Sequence, residues 1–196
     1  MEVPLSIAVN LSGKHFADPR LVSQIKNVLS TSGLDPASLK LELTESAIME
    51  NAERAIQMLA QIKETGVQVS IDDFGTGYSS LSYLHRFPID LLKVDRSFVS
   101  AMEENSENGE IVRTVIALAK ALRLKVVAEG IESIHQFHQL RILQCEYGQG
   151  YLFSPPKPVP DIETMLGEKT NWQHFLPQPA RPIPQAANIS PLRLAN

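Results

Sequence analysis

One cysteine, Cys145, is all that 196 residues contain. No internal disulfide can form, and the chain reads as a cytoplasmic protein in reducing surroundings. No apolar run approaches the roughly 18 residues that cross a bilayer as a helix. The opening "MEVPLSIAVN" lacks both the basic start and the long apolar stretch of a secretory leader. No membrane contact is therefore expected of this segment. Basic charge is not in surplus either: 18 Lys and Arg face 22 Asp and Glu, a net charge of −4. Surfaces that bind nucleic acid or anionic lipid rely on basic patches. No nucleic acid is expected as a partner, and an anionic substrate would have to be met by a metal or a local cation. Familiar catalytic sets are missing as well. No Ser-His-Asp arrangement is evident. "GTG" at 75–77 follows a strand-like run but has no P-loop lysine. The five histidines, His15, His85, His135, His138 and His174, show no ligand spacing, and Cys145 reads as a packing residue.

What remains is a chain with 43% hydrophobic and 20% charged residues, enough to bury a core. Its length fits one domain. Six short runs rich in Val, Ile and Leu read as strands: "LSIAV" (5–9), "LKLEL" (39–43), "VQVSI" (67–71), "DLLKV" (90–94), "KVVAE" (125–129) and "GYLFS" (150–154). Their nearly continuous apolar character is that of strands covered on both faces. Between them lie helical patterns. The first, at 19–33, has Asp18 as N-cap, Pro19 in the first turn and Gly33 as its stop. The second, at 51–66, has a stripe of Ala55, Ile56, Leu59 and Ile62. The third, at 109–123, has Ile111, Val115, Leu118, Ala119 and Leu122. The fourth, at 133–144, has Ile134, Phe137, Leu140 and Ile142. This β–α alternation predicts an α/β fold with a parallel sheet, either doubly wound or most of a barrel. A complete (β/α)₈ barrel takes about 250 residues. From Asn171 onward the text is proline-rich and without period, and reads as a flexible tail.

The polar residues collect where strands end. Asn10 follows the first run, and Glu42 closes the second with Glu45 just beyond. Asp72 and Asp73 end the third, Lys93 and Asp95 the fourth, Glu129 and Glu132 the fifth, and Gln149 precedes the sixth. In parallel β/α folds those ends form one rim, where sites are built. Each residue has a plainer reading. The Asp pair can cap a turn, Glu42 can be solvated, Asn10 can cap a turn with Ser12, Lys93 and Asp95 can form a structural pair, and Glu129 can be a loop residue. Coincidence at five strand ends outweighs these. Carboxylates held about 4 Å apart repel by about 4 kcal/mol at an effective dielectric near 20, so such a cluster needs protons or cations. An Asn with several Asp and Glu is an all-oxygen ligand set that suits Mg²⁺ or Mn²⁺ better than zinc. Two such ions suit displacement at phosphorus. The residues alone therefore point to metal-assisted hydrolysis of a phosphate ester, with the glycine-punctuated segment after Asp73 as a mobile loop over the site.

In this order, "VNLS", "LELTES", "IDDFGTGYSSLSYL", "LLKVDRSFV", "VVAEGIES" and "QGYLFSPP" resemble the EAL-domain family of cyclic di-GMP phosphodiesterases over about residues 3–160. The resemblance implies a TIM-barrel-like fold in which one strand runs antiparallel. It implies opening of cyclic di-GMP to linear pGpG with two Mg²⁺ or Mn²⁺ ions. Carried over by motif, Asn10, Glu42 and Asp72 would hold one ion. Asp72 would bridge to a second, held also by Asp73 and Glu129. The catalytic residues would be Glu129, Lys93 and Asp73, with Lys93 positioning the attacking water or stabilising phosphoryl charge. The proton acceptor stays open between Glu129 and the neighbourhood of Lys93. Glu45 would hold the loop, and Asp95, Glu132 and Gln149 would line the pocket or orient ligands. The loop residues Phe74, Gly75, Thr76, Gly77 and Tyr78 would be regulatory, touching the partner of a homodimer. Sensor or GGDEF domains are the expected companions in a parent chain.

One departure stands out. The family's Glu-Ala-Leu motif, with its metal-ligating Glu and nearby Arg, does not occur. The chain is expected to be an N-terminally truncated EAL domain over residues 1–168. It would hold about six of eight barrel strands with exposed strand edges, and a tail over 169–196. Activity of this chain alone is then an open matter. The alternatives are a receptor that binds cyclic di-GMP without cleaving it, and a protein-interaction module.

Overall fold

The computed structural model describes residues 5–77, 81–102 and 107–167. The chain divides into two compact units, Met1–Pro155 and Pro156–Asn196. The second contains one described helix, α9 (Val159–Gly167). The tail expected over 169–196 lies outside the described residues.

In the first unit six strands form one sheet in chain order. They are β1 (Ile7–Asn10), β2 (Leu39–Thr44), β3 (Gln68–Phe74), β4 (Leu91–Val94), β5 (Lys125–Ala128) and β6 (Tyr147–Gly148). All five pairings are parallel, so each return passes through helix. The helices are α1 (Gly13–Phe16), α2 (Leu21–Ser32), α3 (Glu45–Met49), α4 (Ala52–Lys63), α5 (Leu81–Leu84), α6 (Arg96–Ser100), α7 (Glu107–Ala121) and α8 (Ile134–Ile142). The antiparallel strand of the family pattern is not among the described strands.

The sheet is curled into a half-barrel. In a flat sheet β2 and β6 would lie about 19 Å apart, four spacings of about 4.8 Å. Instead the Lys40 ammonium of β2 sits 5.7 Å from the ring centre of Tyr147 in β6. The core lies between the convex face and the helices: Leu41, Leu43, Val69, Ile71, Leu92, Val94, Val126 and Ala128 are buried there with Leu59, Ile62, Val112 and Ile116. The residues alternating with them, such as Glu42 and Lys93, face the hollow.

The edge strand is exposed, as expected of an incomplete barrel. All four residues of β1 are exposed, and Leu5, Ile7 and Val9 are 61%, 56% and 44% accessible.

Helix starts and phases differ from the sequence reading in places. Asp18 is not the cap of α2; its carboxylate is taken by the amide and guanidinium of Arg20, and Arg20 itself stands at the N-cap. Gly33 ends α2 in the left-handed region, as expected. In α7 the buried stripe is Val112, Val115, Ile116 and Ala119, and Ile111 is exposed. In α8 only Leu140 is buried; Ile134 and Ile142 are exposed.

The last strand lies at Tyr147–Gly148, not at 150–154, where the chain turns. The amides of Leu152 and Phe153 bond to the carbonyls of Ile131 and Gly150, and the Phe153 ring meets Phe137 edge-on. The apolar run there wraps the sheet's end, which is why it imitates a strand. The turn presses Gly150 against the backbone of Ile131, and a Cβ at that position would fall inside the Ile131 peptide. Backbone cannot step aside as a side chain can. Gly150→Ala is expected to lower stability by about 1–3 kcal/mol, the usual range for overpacking. Urea unfolding checks this, and an unchanged midpoint would contradict the packing argument.

Candidate active site

The site is built where β2 to β5 end. Glu42 lies between Leu41 and Leu43, whose burial under the helices turns Glu42 to the hollow side. Asn10 pairs in register with Glu42 from the neighbouring strand. Lys93 has the same phase in β4, and Glu129 extends β5, its amide bonding to the Val94 carbonyl.

Two adjacent aspartates would normally point to opposite faces of a strand. Here the β3–β4 register shifts between Ile71 and Phe74, and Asp73 takes a left-handed backbone, φ 54°. That bulge re-aims Asp73 toward the same mouth as Asp72. Oxygen atoms of Asp72, Asp73 and Glu129 come within 4.8 Å of one another. A left-handed non-glycine residue is strained, though Asp tolerates it better than most.

Lys93 sits in the middle. Its Nζ lies 2.7 Å from Glu42 Oε2, 3.0 Å from Asp72 Oδ1 and 2.7 Å from Glu129 Oε1, with the lysine side chain only 5% exposed. Burial works against its charge, but hydrogen bonds to Glu129 and Glu42 outweigh that and raise its pKa. One ammonium is in contact with three carboxylates, Glu42, Asp72 and Glu129, and Asp73 adds a fourth beside Asp72 and Glu129. Burial pushes the Glu129 carboxyl up, with Lys93 pulling the other way. Burial also pushes Asp73 up, helped by the charges of Asp72 and Asp95. Asp95 moves down: its burial is outweighed by the hydroxyl and amide of Ser97 and by a hydrogen bond from Asp73. The donors are all oxygen, they converge, and their charge is under-compensated. That is the chemistry that fits a hard divalent cation.

The loop after Asp73 is gripped from below. Thr44 caps α3 by accepting from the Ala47 amide, which sets Glu45 at the first turn. Glu45 is buried at 4% exposure, and its Oε2 accepts from the Gly75 amide at 3.0 Å. A Cβ on Gly77 would lie 2.9 Å from Glu45 Oε1, and one on Gly75, φ 100°, would lie 3.1 Å from the Phe98 ring. The left-handed backbone at Gly75 favours glycine there, and at Gly77 a side chain would press on the Glu45 carboxylate. Phe74 is buried beneath it, and the Thr76 hydroxyl bonds back to the Asp73 carbonyl. Tyr78 lies outside the described residues.

The other candidates are placed less centrally. Asn10 stands exposed at the strand end beside Glu42. Gln149 pairs by its backbone with Ala128 and Ile131, with its side chain exposed. Glu132 is drawn away into an ion pair with Arg96 at 2.7 Å, and Gly130, φ 67°, packs under the Arg96 stem. The sequence reading missed Arg96 and Ser97. Asp95 is the N-cap of α6, its carboxylate accepting from the Ser97 amide and hydroxyl, and an Asp before a helical run is the capping signal that points to the residues after it.

Cys145 is a packing residue: its thiol bonds to the Tyr147 carbonyl, and burial pushes its pKa up to about 11. At pH 8 it is therefore almost wholly protonated. Alkylation by iodoacetamide is expected to run at least about tenfold slower on the folded chain than in urea, since only the thiolate reacts. Equal rates would refute the burial argument.

Similarity to known proteins extends over most of the chain. The family model described as EAL domain matches residues 1–156. The cyclic di-GMP phosphodiesterase NbdA of Pseudomonas aeruginosa is 46% identical over 162 residues, which is 83% of this chain and 21% of NbdA. The cyclic di-GMP phosphodiesterase PdeR of Escherichia coli is 40% identical over 161 residues, 82% of this chain and 24% of PdeR. The chain thus spans less than a quarter of the length of these relatives. Among solved structures, the phosphodiesterase PaMucR in complex with c-di-GMP superposes with a TM-score of 0.78 at 44% identity, covering 80% of this chain and 64% of that one.

Proposed function

The chain belongs to the EAL domain family, and we propose that its rim cleaves one phosphodiester of cyclic di-GMP to give linear pGpG, as its relatives NbdA and PdeR are named for. The observation that carries this reading is the convergence of Asp72, Asp73 and Glu129 around a mouth in which Lys93 is the one buried cation among the described residues. Two ions, Mg²⁺ or Mn²⁺, would be held by Asn10, Glu42, Asp72, Asp73 and Glu129. When bound they supply charge neutralisation for the phosphodiester and make the attacking water more acidic.

The chain's own residues do the rest. Lys93, held protonated, presents its ammonium where phosphoryl charge develops. Glu129, whose carboxyl burial pushes up and whose Oε1 is held by Lys93, is suited to take the proton from water. Glu45 keeps the 74–77 turn closed so that Asp73 stays aimed at the mouth. The same loop is the proposed contact with a second copy of the chain, and other signalling domains are the proposed companions.

The test is conversion of cyclic di-GMP by the purified chain in Mn²⁺, followed by chromatography. Formation of pGpG is expected. A folded chain that binds the nucleotide without forming product would replace this reading with the receptor, and one that neither binds nor cleaves would replace it with the interaction module.

A further inference from the structure

We propose that a second ligand site lies outside the rim, in a cleft between α1, α3 and the start of α4, and that it takes a small zwitterion with an apolar body, of the amino-acid type. The cleft has a volume of about 290 Å³, at the lower end of the range for small-molecule sites. It exists because its walls are small. Gly13 packs closely on Ala47, where a Cβ on Gly13 would lie 3.3 Å from Ala47 Cβ, and beside that contact Ala17 and Ala55 add little bulk. The floor is apolar, made by Phe16, 7% exposed, and partly buried Met58.

The mouth carries both signs of charge, and they do not cancel each other. Glu50 and Arg54 line it, four residues apart, yet neither belongs to an ion pair among the described residues. Arg54 gives one N–H to the Ala17 carbonyl at 3.2 Å, which leaves most of its five donors for a carboxylate. Asn51 caps α4 through its side-chain oxygen, accepting from the Arg54 amide at 3.1 Å. Its NH₂ is thereby left to donate outward, beside the positive end of α4. A lone anion would be repelled by Glu50 and a lone cation by Arg54. A zwitterion satisfies both, with its carboxylate on Arg54 and Asn51, its ammonium on Glu50 and its apolar part on Phe16 and Met58.

The position gives the site a consequence for the proposed hydrolase. Helix α1 is capped by Ser12, two residues after Asn10, and α3 opens on Glu45, which holds the Gly75 amide. A ligand wedged between these helices acts on both attachments.

The probe is L-phenylalanine, titrated into the full chain and followed by backbone amide shifts, a readout independent of hydrolysis. Expected are shifts at Gly13, Ala47 and Asn51, and a smaller one at Gly75. 3-Phenylpropionate and phenethylamine, each carrying one of the two charges, should bind at least tenfold more weakly. Arg54→Met and Glu50→Gln should each weaken L-phenylalanine at least tenfold, and Ala47→Met, which fills the cleft but leaves both charges, should abolish it. Equal binding of the three probes overturns the zwitterion assignment on the wild-type chain, whatever the variants do. Absence of shifts at the cleft overturns the site, and a still Gly75 amide overturns its link to the rim.

Discussion

Asp72→Asn is expected to reduce pGpG formation by more than about a hundredfold while leaving the chain folded. The change is nearly isosteric. Asp72 Oδ1 accepts from the Asp73 amide at 3.0 Å and from Lys93 at 3.0 Å, and an amide oxygen can accept in its place. What is lost is one negative charge from the centre of the cluster. Residues that only orient a metal ligand are worth about 10–100-fold, so removing the residue shared by both proposed ions should exceed that. The stability readout separates this cause from misfolding. Without metal the variant should be at least as stable as the parent, because four carboxylates around one ammonium are an excess that the substitution relieves. With divalent cation at about a hundred times its Kd the parent should gain about 2.7 kcal/mol and the variant much less. A variant that is destabilised without metal would show that Asp72 is structural, and one that keeps its activity would show that Asp72 holds no essential ion.

The strand ends were legible because parallel strands covered on both faces read as apolar runs, and a polar residue closing such a run has few other reasons to be there. Glu42, Lys93 and Glu129 are placed by that logic, and the period-2 rule gives their face. Asp73 could not be placed the same way. Period 2 sends it to the opposite side from Asp72, and only the bulge and the left-handed backbone bring it back. Distances between strands are also beyond a one-dimensional pattern, so the sequence pairs Lys93 with Asp95 two residues away and not with three carboxylates from other strands. In α7 the expected Val115 and Ala119 are buried and Leu118 and Leu122 pack against the core, but Ile111 gives way to Val112 and Ile116, because "IVRTVIALAKAL" is apolar on more than one side and the buried stripe is chosen by what packs against it. The turn at 150–154 imitates a strand in sequence since its Leu152 and Phe153 are apolar for packing, and composition does not distinguish a strand from a wrap.

Lys93→Met gives the other large effect, on the fold itself. Met keeps most of the stem volume and removes the ammonium. Glu42, Asp72 and Glu129, 12%, 15% and 16% exposed at the side chain, then face one another with no counter-charge. Breaking a buried pair in this way is expected to lower stability by about 3–5 kcal/mol at pH 8 without metal. The pH dependence has a definite sign. Burial already raises the Glu129 carboxyl above its ordinary 4.5, and burial with the neighbouring acids raises Asp73 above 3.8. A carboxyl that binds its proton more tightly in the folded chain favours folding at low pH. Its contribution is lost as pH rises from the ordinary value through the raised one. Removing Lys93 raises these carboxyls further, so the deficit of the variant should shrink at pH 5 and widen at pH 8. A divalent cation should return part of the stability at pH 8, since it supplies the missing positive charge. It should not return hydrolysis, because the ammonium aimed at the phosphoryl oxygens is still gone. Urea unfolding at both pH values, with chelator and with Mg²⁺, tests every step. A deficit of the same size under all four conditions would mean that Lys93 acts through packing, and that the carboxylates around it are not an electrostatic cluster.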